Sequence, residues 1–385
     1  MTTTRLLRLI APQLATVALM YLLTGAALAA IPLFLVRDLG FGPTVVGLVT
    51  GLPFLFAILT RLYSGGFADR HGPKRALMVG LGLATLSGGI GLGAVLLVGQ
   101  PVAAATVLLI ARICLATAEG FVMVGAQTWG LALGGQARSG LIVGWVGTAM
   151  FGAMAAGAPI GGVLFSVGGY VAVTCAILLT PLVVMVPLAR LQAQTLDASK
   201  RLPLGDVARR ILPFCVAIAF VGFGYGAIIS FSVLLFEARG IPETWAALTL
   251  FSVALVAARI FAGGLPDRYG RARVALWSLA VMIGGLMAMA LGPGRGLAFG
   301  GAFLAGLGYA LVYPAIAREA LARIPDRNRG AALSVYSSSV YVTLGIGGPI
   351  LGLLAGAFGV AFVFVFASVM AGVAMVLILR TQSAT

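Results

Sequence analysis

The chain carries one carboxylate deep inside an apolar stretch. Glu119 stands in the run 102–131, and Arg112 precedes it by seven residues. A run of that length can cross a bilayer as a helix, and seven residues is close to two helical turns. Both side chains then share one face, about 10 Å apart along the axis, too far for a direct bond unless they bend toward each other. An ionisable group at membrane depth costs several kcal/mol if unpaired, so it faces a polar interior and marks an ion or substrate path. A carboxyl there can carry a proton, and Arg112 makes its proton affinity depend on conformation. The pair predicts proton coupling through Glu119. The alternative is a structural polar pair that packs this helix against its neighbours.

A second signal is a doubled loop. Residues 61–75 read R-L-Y-S-G-G-F-A-D-R-H-G-P-K-R, and residues 259–273 read R-I-F-A-G-G-L-P-D-R-Y-G-R-A-R. Each copy sits where one apolar run ends and the next begins. Two copies in register mean two homologous halves, the mark of a transporter built from repeats. Gly65, Asp69, Arg70, Gly72, Lys74 and Arg75, with Asp267, Arg268, Gly270 and Arg273, read as a latch that holds one conformation and opens in the other. The plainer reading is a turn placed by its charge. Asp69 ends one helix just before the next begins, where free amide donors could stabilise its charge. Arg61 and Arg259 lie two turns before the loop aspartates. The repeat predicts that they face each other across the halves. There they bind an anionic substrate group, or else reach toward water or pair with Asp69 and Asp267.

The elements that must position these groups follow from composition. Hydrophobic residues make up 61% of the 385-residue chain and charged residues 9%, against about 25% charged in soluble domains. Apolar runs of about 20 residues or more recur, with no alternating pattern of short strands, so the expectation is an all-α integral membrane protein and not a β-barrel. The 54 glycines lie within these runs, where small residues let helices approach closely. Twelve spans are expected, at 9–36, 44–68, 76–98, 102–131, 140–165 and 170–190, then 212–236, 243–265, 274–292, 297–321, 331–356 and 358–379. They group as a six-helix bundle over 1–190, a cytoplasmic linker over 191–211 and a second six-helix bundle over 212–385. The first run follows Arg5 and Arg8 and reads as a retained span, with no clean cleavage site.

The net charge of +15 does not point to nucleic acid, because the basic residues sit in short loops on one side. Arg70, Lys74, Arg75, Arg138, Arg190, Arg268, Arg273 and Arg380 share that side, whereas the other holds only Arg37, Arg239 and Arg295. By the positive-inside rule the basic side is cytoplasmic, as are both termini. Cys114, Cys175 and Cys215 are scattered through apolar runs and read as small apolar filler, with no metal spacing. The sole histidine, His71, is in the loop. No phosphate-binding glycine loop ending in Lys-Ser or Lys-Thr occurs, so no cofactor is implied and the energy must come from an ion or substrate gradient. Aromatic and hydroxyl residues at membrane depth are candidates to line a substrate cavity: Tyr21, Thr24, Gln127, Trp129, Trp145, Tyr225, Ser230, Tyr309, Tyr313, Tyr336, Ser337, Ser338 and Tyr341. Many single aromatics in spans are packing or interface anchors instead.

Over essentially its full length the chain resembles the major facilitator superfamily. The loop Gly65, Asp69, Arg70, Gly72, Lys74 and Arg75 matches that superfamily's G-x-x-x-D-R-x-G-x-[KR]-[KR] motif. Gly263, Asp267, Arg268, Gly270 and Arg273 form the second copy. Arg112 is similar to the arginine of its second motif, although Leu115 and Ala116 replace the usual Gln and Gly. Gly157, Pro159, Gly161 and Gly162 resemble the antiporter motif, reading A-P-I-G-G where G-P-x-x-G-G is usual. Gly347, Gly348, Pro349 and Gly352 repeat it in the second half. The run from Arg112 through Glu119 and Gly120 to Trp129 resembles bacterial sugar (arabinose) efflux permeases and drug–proton antiporters. The resemblance implies two pseudo-symmetric bundles, alternating access and a bacterial cytoplasmic (inner) membrane location. The expected function is proton-coupled efflux of a small organic molecule by a monomer whose partners are substrate, protons and lipid. Proton symport or facilitated import of an anionic solute through Arg61, Arg112 and Arg259 is the alternative, followed by a non-transporting membrane sensor.

Overall fold

The computed structural model describes residues 3–135, 138–191, 204–292, 294–324 and 329–383. Among these the secondary structure is helical, with no strand. Ten helices among the described residues are long and apolar enough to cross a membrane, and Ala246–Ala262 is a shorter apolar one. The chain forms two compact units. One is Met1–Phe41 with Phe56–Ala198, the other Gly42–Leu55 with Ser199–Thr385.

The first unit holds α1 (Thr3–Leu33), most of α3 (Pro53–His71), α4 (Pro73–Leu96), α5 (Pro101–Gly134) and α6 (Ser139–Ala189). A π-helical turn, Phe34–Asp38, closes α1. Proline begins α4 and α5, where its missing N–H costs nothing. The spans expected at 140–165 and 170–190 are two helices that meet at the non-helical residues Gly168 and Gly169, carried here under one label, α6. Gly169 has φ +60° and ψ −160°, a conformation open essentially to glycine alone.

The second unit holds α2 (Pro43–Gly51), α7 (Leu204–Ala238), α8 (Ala246–Ala262), the short α9 (Leu265–Tyr269), α10 (Arg271–Leu291), α11 (Arg295–Ala322), α12 (Arg329–Phe358) and α13 (Val360–Ser383). The span expected at 44–68 is interrupted at Leu52, because Pro53 has no N–H to continue the ladder. Its first part, α2, packs on α12. A Cβ on Gly47 would lie 2.2 Å from the carbonyl oxygen of Gly348, and one on Gly51 would lie 2.7 Å from Gly348 Cα. The span expected at 243–265 is shorter, Ala246–Ala262, with α9 following as a separate turn. Of the expected linker, Asp197, Lys200 and Arg201 lie outside the described residues. Asp206, Arg209 and Arg210 already belong to α7.

Candidate functional site

In the first unit, Glu119 and Arg112 sit on α5, whose position is fixed by small residues and short polar ties to α4. A Cβ on Gly80 would meet Val122 and the Ala118 carbonyl at 2.7 and 3.0 Å. Ser87 Oγ donates to the Ala111 carbonyl at 2.7 Å. Opposite stands α1. Thr24 Oγ1 lies 2.8 Å from Glu119 Oε1 and 3.1 Å from the Met20 carbonyl. A threonine hydroxyl has one hydrogen, so it serves one of these acceptors at a time. With Glu119 ionised, Thr24 donates to the carboxylate. With Glu119 protonated, the acid can donate to Thr24 and free that hydrogen for Met20. Thr24 thus couples the protonation of α5 to the backbone of α1.

Arg112 is 3% exposed, and its Nε and Nη1 have no hydrogen-bond partner among the described residues. It acts on Glu119 through space, as does Arg61 of α3. The stem of Arg61 lies against Gly120, whose added Cβ would be 3.8 Å from Arg61 Cγ. Tyr170, the residue after the Gly168–Gly169 break, is also buried and within electrostatic reach of Arg112. Its ring stacks on Phe34 at 4.5 Å. A buried guanidinium with unmet donors is costly, and Glu119, two turns away on the same helix, is a carboxyl on which Arg112 acts electrostatically. Tyr21 and Trp129 are buried nearby in sequence, and Gln127 is half-buried. Trp145 lines an apolar groove of about 690 Å³ between α1 and α6.

The charged loop 69–75 joins α3 to α4. Gly72 has φ +86° and its repeat partner Gly270 φ +89°, which accounts for glycine at both positions. Asp69 is exposed in the last turn of α3, and α4 is capped by Gly72 with no side-chain bond. Pro73 supplies no N–H at the first position of α4. Lys74 ties this loop to α6. Its Nζ donates to the Ala189 and Leu191 carbonyls at 2.7 and 2.6 Å, neutralising the C-terminal end of α6. Lys74→Met should lower the thermal unfolding midpoint of the purified protein by the equivalent of about 1 kcal/mol; an unchanged midpoint would show that these bonds contribute nothing net. Arg70, Arg75, Arg268 and Arg273 are exposed, and the side chain of Asp267 lies outside the described residues.

In the second unit the candidate aromatics converge. Tyr225 of α7 stacks on Tyr309 of α11 at 5.0 Å and on Phe251 of α8 at 5.7 Å. Tyr313 packs against Tyr336 at 5.0 Å, and Tyr336 donates its hydroxyl to the Tyr313 carbonyl at 2.9 Å. Arg259 of α8 interacts electrostatically with Tyr309, Tyr313 and Tyr225. Tyr341 lies 5.9 Å from Phe54, and Ser337 is half-buried. Of the three arginines assigned to the less basic face, Arg295 pairs with Glu243 and lies over the Phe299 ring, Arg239 Nη2 donates to the Ala290 carbonyl at 2.8 Å, and Arg37 adjoins Asp38.

The family model of the Major Facilitator Superfamily matches residues 14–245 and 214–385. The chain belongs to this superfamily. It is a multi-pass membrane transporter and not an enzyme. An uncharacterised MFS-type transporter of Burkholderia pseudomallei is 35% identical over 374 residues, covering 94% of this chain and 90% of that one. Another, from Salmonella typhimurium, is 32% identical over 370 residues, covering 96% and 95%. Among solved structures, a bacterial homologue of the human lysosomal transporter Spinster matches with a TM-score of 0.77 at 16% identity, covering 98% and 97% of the two chains. A variant of the nucleoside transporter NupG matches with a TM-score of 0.75 at 14% identity, covering 97% and 99%. At these identities the two structures speak for the fold of this MFS transporter alone.

Sequence reasoning passed over Tyr170, Phe251 and Ser252 of this transporter. Tyr170 had a signal, a tyrosine directly after two glycines within an apolar run. Phe251 and Ser252 had none, since they read as ordinary span residues until α8 is placed against α7 and α11.

Proposed function

We propose that this MFS transporter is a proton-coupled exporter of a small organic molecule, with Glu119 as the proton carrier and Arg112 as the group that makes its proton affinity depend on conformation. The carrying observation is the placement of Glu119 in α5: a carboxylate at membrane depth, bonded to a Thr24 hydroxyl that has a second acceptor, beside a buried arginine with unmet donors. The cycle is alternating access in a bacterial cytoplasmic membrane, with twelve spans in two six-helix bundles over 1–190 and 212–385, both termini cytoplasmic, and the monomer as the working unit. The doubled loops carrying Asp69 and Asp267 form the cytoplasmic latch, and Arg61 and the cavity aromatics contact cargo. The degenerate antiporter-like motif supports export over import.

Proton movement tests the direction of coupling. Proteoliposomes loaded with a pH-sensitive dye are challenged with a panel of sugars, sugar acids and amphipathic amines. Antiport expects a lumen that becomes alkaline as external ligand enters in exchange for protons. A lumen that turns acidic with ligand entry identifies symport and overturns the proposed direction.

A further inference from the structure

In the first unit, α1 and α6 touch at glycines and then part, leaving an apolar groove. They meet where a Cβ on Gly157 would lie 2.1 Å from the Leu22 carbonyl oxygen, and one on Gly25 would lie 2.7 Å from the Met154 carbonyl oxygen. From that contact toward the start of both helices the groove has a volume of about 690 Å³. Leu7, Leu14, Ala18 and Leu22 form one wall, and Trp145 and Ala149 stand on the other. The one hydroxyl in its lining is that of Thr148, and it donates to the Gly144 carbonyl at 3.0 Å. Apart from the Trp145 indole, the side chains of the groove therefore offer an occupant hydrocarbon.

Size and charge narrow the occupant. Leu7 and Leu22 are separated by about 22 Å along the helix axis. Spread over that length, 690 Å³ averages about 30 Å² in section, a strip about 5–6 Å wide. A helix with its side chains is about 10–12 Å across, so neither another span nor a second copy of this chain fits inside. Carbon atoms pack at about 4 Å, so one extended hydrocarbon chain does fit. The mouth of the groove carries a cation. Arg8 is exposed, and it precedes the groove residues Ala15 and Leu19 by two and three turns on the same face of α1. Trp145 lies in the first two turns of α6, as a tryptophan does that sits between headgroups and hydrocarbon.

We propose that this groove is a binding site for an anionic phospholipid of the bilayer, with one acyl chain lying between α1 and α6 and the phosphate at Arg8. One leaflet of hydrocarbon is about 15 Å deep, so a tail that enters beside Leu7 runs most of the way to the pinch at Leu22. A guanidinium at the membrane surface attracts a lipid phosphate. In the topology proposed above this end is cytoplasmic, the side whose lipids carry negative charge. A polar solute finds no free hydroxyl or charge along these walls, which favours lipid over cargo. The seated tail braces α1 against α6 where their glycine contact ends. The site does not depend on Glu119, on proton coupling or on the direction of transport.

Fluorescence quenching of the full-length protein in lipid nanodiscs tests the site, with Trp145 as the reporter. Discs of phosphatidylcholine receive a rising fraction of phosphatidylglycerol brominated on its acyl chains, or of phosphatidylcholine brominated in the same way. The Trp145 signal is the difference between the parent chain and Trp145→Phe. Brominated phosphatidylglycerol should reach half-quenching at a mole fraction about fivefold below that of brominated phosphatidylcholine, the effect of one surface arginine on an anionic lipid. Arg8→Gln should bring the two lipids together. Arg8→Lys should keep most of the preference, because the charge remains, and high salt should weaken it. Gly152 lines the groove, and a Cβ there meets nothing within 4 Å. Gly152→Leu should therefore fold, fill the groove and remove the preference while Arg8 stays in place. Helix content and a single size-exclusion peak certify each variant. Equal quenching by both lipids in the parent chain would mean that bulk lipid fills the groove. A preference that survives Arg8→Gln or Gly152→Leu would put the lipid elsewhere, and no quenching by either lipid would mean that cargo or protein covers the groove. Each of these results would overturn the site.

Discussion

Glu119→Gln should abolish proton-driven accumulation while leaving a folded protein that still exchanges ligand. One pH unit is worth about 1.4 kcal/mol, a tenfold accumulation ratio for one proton per cargo molecule. Removing the titrating group should bring that ratio to about one under the same gradient, because the carrier can no longer take a proton on one side and release it on the other. The fold should survive for a specific reason. Thr24 Oγ1 sits 2.8 Å from Glu119 Oε1 and 3.1 Å from the Met20 carbonyl. A glutamine amide can donate to Thr24, which then donates to Met20, as the protonated acid would. Counterflow at equal pH on both sides reads binding and alternation without the gradient, and it should persist in the variant. Tenfold accumulation by Glu119→Gln under one pH unit would end the assignment of Glu119 as carrier. Loss of counterflow as well would reassign it to structure or substrate binding.

How far this site was legible differs residue by residue. Glu119 and Arg112 stood out because ionisable side chains in an apolar run need a reason, and helical spacing put them on one face. Thr24 is 95 residues away in sequence and carries no charge, so only tertiary packing identifies it as the partner of Glu119. The doubled loop announced two related halves, since side-chain identity repeats in register. It did not announce that Gly42–Leu55 would pack with the second unit. That contact is made by backbone against backbone, at Gly47, Gly51 and Gly348, and glycines are too common in this chain for their spacing to single out one contact. At the loop, Gly72 and Pro73 set how α4 begins, through a positive φ and a missing N–H that belong to those residue types. In the second unit the tyrosines were visible as candidates, but their assembly around Arg259 depends on the parallel register of α8 and α11.

Packing of α1 against α6 is expected to carry the largest stability effect in the molecule. Three glycines make that contact. A Cβ on Gly157 would lie 2.1 Å from the Leu22 carbonyl oxygen, one on Gly161 would lie 2.4 Å from Ala26 Cα, and one on Gly25 would lie 2.7 Å from the Met154 carbonyl oxygen. The obstructing atoms are backbone, so no side chain can swing aside, and Gly161→Ala must part the helices by roughly 1 Å to restore ordinary contact distances. In a membrane, helix association depends on this close packing, because lipid tails are as apolar as the side chains they would replace. Gly157→Ala and Gly161→Ala should each cost about 3 kcal/mol, the range of an overpacked core. Gly144→Ala and Gly152→Ala on the same helix meet nothing within 4 Å. They should be neutral or stabilising by up to about 1 kcal/mol, through the helix preference of alanine over glycine. Thermal unfolding of the four purified variants separates the cases: unfolding midpoints for Gly157→Ala and Gly161→Ala equal to those of the Gly144 and Gly152 variants would refute the close approach. The same contact assigns the antiporter-like motif a physical task. Gly157 and Gly161, one turn apart, hold α6 against Leu22 and Ala26, on either side of Thr24, so the motif fixes the distance from α1 to the carboxyl of Glu119. Gly161→Ala should therefore also weaken proton coupling, and at a temperature where the variant stays folded its accumulation ratio should fall below that of Gly144→Ala under the same pH gradient.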